Sequence, residues 1–248
     1  MDKKEENSFA RFFSQKDYIT LKNQLFNYKF RKHIIARAYK KYGSHRSKSR
    51  LLDIGCGISP VSPYQNQTTF IDSDKNAMIF LKKLGHKTLN GNANSIPLKN
   101  RTIDSVFCSE VLEHVPNHKI AIREFNRILK IGGILFITVP THMKYWAFDD
   151  DYVGHLRRFD PKKLVGELKD ENFEIIDIKP IGSYIERELT KMLVRKAMTR
   201  KNNDRVGRVQ MDIFKFANKI FLALTYLGYI FNNKENSSII LIVARKAD

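Results

Sequence analysis

The sequence predicts an α/β fold: a doubly wound sheet of seven strands, mostly parallel, with N-terminal helices and a helical insertion between the last two strands. Three observations predict it. Short apolar runs alternate with stretches of helical spacing from Arg50 to Lys179, and such alternation implies right-handed crossovers onto a largely parallel sheet. The first run ends in a Gly-x-Gly turn, Gly55-Cys56-Gly57. The last two runs flank Pro180 to Ser238, roughly 55 residues that are too many for a structureless loop.

Four segments follow: 1–49, a basic helical extension; 50–180, the core; 181–237, a basic and apolar helical insertion; and 238–248, the last strand of the core. From Lys16 to Tyr42, Tyr18, Leu21, Leu25, Phe26, Ile34, Ile35, Ala38 and Tyr39 fit one or two amphipathic helices. Gly43–Ser49 reads as a polar linker. Strands are expected at Arg50–Ile54, Thr68–Asp72, His86–Asn90, Ser105–Cys108, Ile134–Val139, Phe173–Lys179 and Ile239–Ala244. Helices are expected at Asp74–Leu84 and Lys119–Lys130, the latter stopped by Gly132-Gly133. Within the insertion, Arg187–Arg200 is basic and amphipathic, and Asp212–Phe231 is strongly apolar. Lys215, Asn218 and Lys219 interrupt the apolar stretch, so only the twelve residues Ile220–Phe231 are uncharged. That is too short to span a bilayer core. A helix packed on the domain and a helix lying at a membrane interface both fit it.

At 248 residues, 42% of them hydrophobic, the chain can bury a core and is not a disordered one. Two cysteines, Cys56 and Cys108, exclude a disulfide framework and suggest a reducing, cytoplasmic setting. The N-terminal residues show no apolar core of a secretory signal. The net charge of +18 is unevenly placed. Residues 1–50 carry 14 Lys/Arg against 4 Asp/Glu and residues 182–248 carry 13 against 6, whereas 51–150 carry 11 against 9. Basic flanks therefore concern partners, an anionic membrane surface reached through 182–233 or nucleic acid, while the near-neutral middle carries the chemistry.

Glycines at a strand-to-helix turn let backbone approach a ligand. A dinucleotide fingerprint would need a third glycine where Pro60 stands, and no Lys-Ser/Thr ending marks a P-loop. The turn thus suits a nucleoside without a pyrophosphate. The second strand ends in Asp72, nineteen residues after Asp53, where a carboxylate can accept both ribose hydroxyl protons. Gly91-Asn92-Ala93, Ile96-Pro97-Leu98, the run Ile103 to Val115 with Ser109-Glu-Val-Leu-Glu-His-Val, and Leu129-Lys-Ile-Gly-Gly-Ile-Leu135 follow in order.

As a set, from about Leu51 to Lys179, these motifs resemble the class I S-adenosylmethionine-dependent methyltransferases, with their Rossmann-like core and particularly the group acting on small-molecule and lipid-like acceptors. The resemblance implies S-adenosyl-L-methionine as cofactor. It places Asp53, Gly55, Cys56 and Gly57 around the methionine end, Asp72 on the ribose, Ser73 and Ala93 beside the adenine, and Ser109 at the methionine amine through its backbone. Asn92 stands where the family usually has Asp, and its carbonyl can still accept from the adenine amine. The cysteines read as small buried residues, not nucleophiles or ligands.

Methyl transfer requires alignment and removal of the acceptor's proton. His114, His142 and His155 are candidate bases. His114 lies in the Glu-His-Val turn that family members share, which favours a structural role. His155, in the loop Tyr152 to Phe159 after the fifth strand, overhangs the edge where acceptors bind and is the expected catalytic residue. Arg157 and Arg158 could hold an anionic group of the substrate. Asp149-Asp150-Asp151 reads as a solvated, charge-balancing loop beside those arginines, since three adjacent acids cannot all face one ion, and no metal is expected.

Three functions compete. O-methylation of a hydrophobic or membrane-associated acceptor (quinone, lipid or lipid-linked sugar) uses every feature. RNA methylation rests on charge, but nucleic acid is disfavoured: Cys108-Ser109-Glu110-Val111 lacks the Pro-Pro-aromatic clamp for a flipped base, and no RNA-binding module is recognisable. A non-catalytic cofactor-binding or scaffold protein is the third.

Overall fold

The computed structural model describes residues 22–44, 48–199, 208–233 and 235–248. Lys16–Leu21 of the expected N-terminal helix lie outside them. In chain order the elements are α1 (Phe26–Tyr42), β1 (Leu51–Ile54), β2 (Thr68–Asp72), α2 (Lys75–Lys83), β3 (Lys87–Asn90), β4 (Ile103–Ser109), α3 (His118–Ile128), β5 (Leu129–Pro140), α4 (Phe148–Val153), α5 (Pro161–Asp170), β6 (Phe173–Pro180), α6 (Tyr184–Thr199), α7 (Arg208–Ile230) and β7 (Ile239–Lys246). The seven strands form one sheet in the order β3-β2-β1-β4-β5-β7-β6. Pairings from β3 across to β5 are parallel, and β7 runs antiparallel between β5 and β6.

Alternation along the central strands divides the core into two faces. Leu52, Ile54, Val106, Cys108, Leu135, Ile137, Ile240 and Ile242 meet Ile122 and Phe125 of α3 and Leu164 and Leu168 of α5. Leu51, Phe107, Phe136, Leu241 and Val243 point the other way, onto Ile34, Ile35, Ala38 and Tyr39 of α1. Complete burial of one such side chain is worth ~1.5–3 kcal/mol, so these strands anchor the fold. Asp160 caps α5 by accepting from the Lys162 and Lys163 amides, with Pro161 at the first helical position.

Two expectations are corrected. No helix follows the glycine turn: residues 58–64 run as a loop to a short 3-10 turn at Gln65–Gln67. Pro60 and Pro63 in this stretch have no backbone N–H to continue a helix. Gly132-Gly133 does not stop α3 but lies inside β5, which begins at Leu129. Gly132 adopts φ 74°, and a Cβ on Gly133 would sit 2.8 Å from the Lys130 carbonyl oxygen, which is the backbone irregularity that β4 and β5 share. The N-terminal extension and the insertion pack on each other. Phe26 packs edge-on against Phe221, and Phe30 against Tyr226 and Tyr229. Asn218, a polar break in the apolar run, caps α1 from outside: its Oδ1 accepts from the Phe26 amide at 2.7 Å and its Nδ2 donates to the Gln24 carbonyl.

Candidate functional site

The site lies along the carboxyl ends of β1, β2, β4 and β5. Gly55, at the end of β1, adopts φ 65°, and a Cβ there would collide with Val111 at 2.5 Å. Gly57 adopts φ 50°, and a Cβ on it would project into open space with nothing within 4 Å. Only glycine takes both positions without strain, and the open side leaves room for a ligand against bare backbone. Asp53 is buried and does not face that space directly. Its Oδ2 accepts from the Val61 and Ser62 amides at 2.7 and 2.8 Å, so it ties down the loop that replaces the missing helix. Burial outweighs these bonds and raises its carboxyl to about 7.

Asp72, at the end of β2, accepts from the Gly57 amide through Oδ2 at 2.7 Å and from the Asp74 amide through Oδ1 at 2.9 Å. Each carboxylate oxygen keeps a second lone pair for an incoming hydroxyl. Exposed Ser73 follows, its carbonyl 3.5 Å from the Asn90 side-chain amide. Asn92 is exposed, its Oδ1 already accepting from the Asn94 amide at 2.9 Å, while Ala93 is buried in the core beneath. Cys56 and Cys108 are free and buried, and burial pushes both thiols well above the usual range. Ser109 bonds Thr138 through its hydroxyl at 2.8 Å, next to Glu110, whose φ of 55° turns the chain away from the sheet.

The N-terminal segment roofs the glycine loop. The Asn23 side-chain amide donates to the Ile58 carbonyl at 3.1 Å and the Tyr28 hydroxyl to the Pro60 carbonyl at 2.8 Å. Lys22 lies in the fields of Arg31, Asp72 and Cys56, and burial lowers its ammonium to about 8. Sequence reasoning missed all three, because nothing in the spacing of a basic helix says which loop it crosses.

Beyond β5, the acidic triplet is not a solvated loop. Asp149 and Asp150 are buried in α4, and only Asp151 is exposed. Asp149 pairs with Arg187 of α6. Asp150 is fully buried and accepts from Arg158 at 2.8 Å, from Arg187 at 3.0 Å and from Nδ1 of His155 at 2.7 Å. Burial alone would raise the Asp150 carboxyl, but His155, Arg158 and the Ala147 amide hold it below its usual value. A carboxylate only accepts, so His155 carries a proton on Nδ1, and its Nε2 lies 3.8 Å from Glu113 Oε1. The His114 ring lies 4.8 Å from that of His155. Its Nδ1 faces the Gly154 carbonyl at 3.1 Å, and burial together with His155 lowers it to about 4. His142 sits at the end of β5 with φ 58° and stacks edge-on against Tyr145.

Of the two arginines expected to hold substrate, Arg158 is turned inward and Arg157 is half-buried against its neighbours. Arg158 is buried, its guanidinium divided between Asp150 and the Thr141 and Ser238 carbonyls. Arg157 contacts Nδ1 of His118 at 2.6 Å and donates to the Pro116 carbonyl at 2.9 Å, and His118 in turn meets Glu167 at 2.8 Å. Both brace the loop that carries His155. The reason lies in α6: Arg187, far along the chain, completes the cage around Asp150, a contact that local spacing does not reveal.

Comparison with known proteins decides the family. A model described as a methyltransferase domain matches residues 52–137. Uncharacterized protein MJ1252 of Methanocaldococcus jannaschii is 36% identical over 195 residues, covering 75% of this chain and 76% of that protein. The chain belongs to the class I S-adenosylmethionine-dependent methyltransferases. A Mycobacterium tuberculosis protein named as a probable S-adenosylmethionine-dependent methyltransferase is 23% identical over 177 residues, 68% of this chain. The chain spans 63% of the length of that relative. The fold matches a crystal structure from Thermotoga maritima titled an S-adenosylmethionine-dependent methyltransferase and possible histamine N-methyltransferase, with TM-score 0.60, 16% identity, and 97% and 98% of the two chains covered. The methyltransferase's own residues fit the cofactor: bare backbone at Gly57 opens onto space, and the Asp72 carboxylate stands beside it.

Proposed function

We propose that this methyltransferase acts in the cytoplasm at an anionic membrane surface, methylating a hydroxyl on a hydrophobic, membrane-borne acceptor such as a quinone, lipid or lipid-linked sugar. When bound, S-adenosylmethionine supplies a methyl group on a sulfonium whose positive charge disappears on transfer. Asp72 holds the nucleoside end, the Gly55–Gly57 backbone accommodates the rest, and the Asn23 and Tyr28 roof excludes water from one side. His155 is the acceptor-site residue. Asp150 fixes its tautomer and offsets the charge the ring gains when Nε2 draws the hydroxyl proton, the arrangement a general base requires.

The observation that carries the acceptor class is the outer face of α7. Ile213, Phe216, Ile220, Leu224, Leu227 and Ile230 are all exposed, at helical spacing along one side. The stretch Ile213–Ile230 is long and apolar enough to cross a membrane by composition, and 17% of it is buried in the fold. Its opposite side packs on α1, so an interfacial position suits it better than a spanning one. A basic depression of about 660 Å³, lined by His33, Arg37, Lys41, Lys179 and Tyr229 among others, opens beside the end of this helix and suits anionic headgroups.

The test combines two measurements. Calorimetry should show S-adenosylmethionine binding that Asp72→Ala abolishes. Labelled methyl should pass from the cofactor into the lipid fraction of a cell extract, and His155→Ala should slow this at least ~100-fold while cofactor affinity stays within about twofold. Label in RNA alone would replace this reading with RNA methylation. Binding without transfer to any fraction would replace it with a non-catalytic one.

A further inference from the structure

Arg31 of α1 stands where the roof over the glycine loop meets the end of β4. Its charge acts on Lys22 and Tyr28 of the roof, on Glu113 after β4 and on Glu186 of α6. We propose that Arg31 binds an anionic oxygen group of the acceptor, a carboxylate or a phosphate, and so selects acidic acceptors. This role rests on the methyl-transfer reading and narrows it.

The Arg31 side chain is 19% exposed, and its Nε is enclosed with no hydrogen-bond partner among the described residues. Its ion pair with Glu110 Oε2 spans 3.5 Å, well beyond the ~2.7–2.9 Å of a charge-assisted hydrogen bond. A guanidinium carries its N–H donors in a planar fork whose shape matches a carboxylate or a phosphate. Glu110 steers that fork without filling it, since its Oε1 accepts from the Thr138 hydroxyl at 3.0 Å. A buried donor left unmet costs free energy until an acceptor reaches it.

The surroundings admit an anion. Three carboxyls lie in the field of Arg31: Glu110, Glu113 and Glu186. Burial drives Glu113 toward its neutral form and raises Glu186 to about 7, so neither opposes an anion as a full charge would. A neutral carboxyl also offers an O–H donor. On the far side α6 is held against α1. The Asn27 side-chain amide donates to the Thr190 hydroxyl at 3.4 Å, which donates to Glu186 Oε1 at 3.1 Å. The N-terminal helix and the insertion thus build one polar wall beside Arg31. The sequence offered Arg157 and Arg158 for the anion, but His118 and the Pro116 carbonyl occupy the first and Asp150 the second. Local spacing does not point to Arg31, which reaches the site from a helix that precedes the first strand.

The test uses the full chain loaded with S-adenosylhomocysteine and two probes, inorganic phosphate and benzoate, followed by calorimetry. At least one probe should bind saturably, and Arg31→Met should weaken it ~10–100-fold, the worth of hydrogen bonds to a charged group. Arg31→Lys keeps the charge, loses the fork and should recover part of the binding. Melting and S-adenosylhomocysteine affinity report that each variant is folded, and Arg31→Gln gives the same reading where Arg31→Met melts early. Preference for phosphate assigns a lipid headgroup, and preference for benzoate a carboxylate. Labelled methyl should appear in those extract lipids that anion exchange retains. Binding of neither probe overturns the proposal, as does equal binding by the uncharged variant or label confined to unretained lipids. Cofactor binding without an Arg31-dependent anion removes this role alone, whereas failure to bind S-adenosylmethionine removes the methyl-transfer reading as well.

Discussion

At the scale of single residues, the interior holds more acid than its size would suggest. Asp53, Glu113, Asp150 and Glu186 are all buried, and their surroundings treat them differently. His155 and Arg158 hold the Asp150 carboxyl below its usual value, whereas burial raises Glu186 to about 7 despite a hydrogen bond from Thr190. A carboxyl raised in the fold contributes stability that is complete below its unfolded value near 4.5 and is lost as pH rises through about 7. Glu186→Gln should therefore melt higher than wild type at pH 8, by on the order of 1–3 kcal/mol, and should match it near pH 4. Melting curves at several pH values check this, and parallel profiles for the two proteins would remove Glu186 as a source. Some of this scale was legible in advance. Gly55 and Gly57 lie in a turn after β1, Asp72 at the end of β2 and His155 in the loop after α4, and these places were legible because a tight turn and a strand end are local events. The burial of Arg158, Asp149 and Asp150 was not legible, because charge alone does not say whether a side chain faces water or another element.

At the scale of elements, α7 is the one whose two sides do different things. Phe221, Tyr226 and Tyr229 meet α1, while Phe216, Ile220 and Leu227 are exposed. Periodicity located this helix, yet its apolar residues run almost all the way round, so the sequence left packed and membrane-facing roles equally open. If the outer stripe lies on a bilayer, Ile220→Glu with Leu227→Glu should leave the melting temperature within a few degrees and reduce flotation with anionic vesicles at least ~10-fold, since two charges oppose apolar insertion. Equal flotation of the double variant would detach the membrane reading from α7. The segment Ile58–Tyr64 shows the reverse case. A doubly wound pattern leads one to expect a helix there, and two prolines in the same stretch forbid it.

For the whole molecule, the ends of the chain close on its middle. α1 covers one face of the sheet, α7 packs on α1, and the residues before α1 roof the glycine loop, so the insertion and the cofactor turn are mechanically linked. Phe30→Ala, at the α1–α7 junction, should cost ~3–5 kcal/mol by cavity formation. It should also weaken S-adenosylmethionine binding, although Phe30 is no part of the site. Loss of stability with unchanged cofactor affinity would show that the roof is held independently. The sequence by itself determined the seven strands, the glycine turn, Asp72 and the family, because alternation and turn chemistry act over a few residues. Tertiary structure alone decided that Asp150 stands behind His155, that buried Glu113 lies 3.8 Å from the other side of the same ring, and that two basic segments form one layer. Those facts depend on side chains as far apart along the chain as Phe30 and Tyr229 meeting in a desolvated interior, where a charge must find its partner in space and not along the chain.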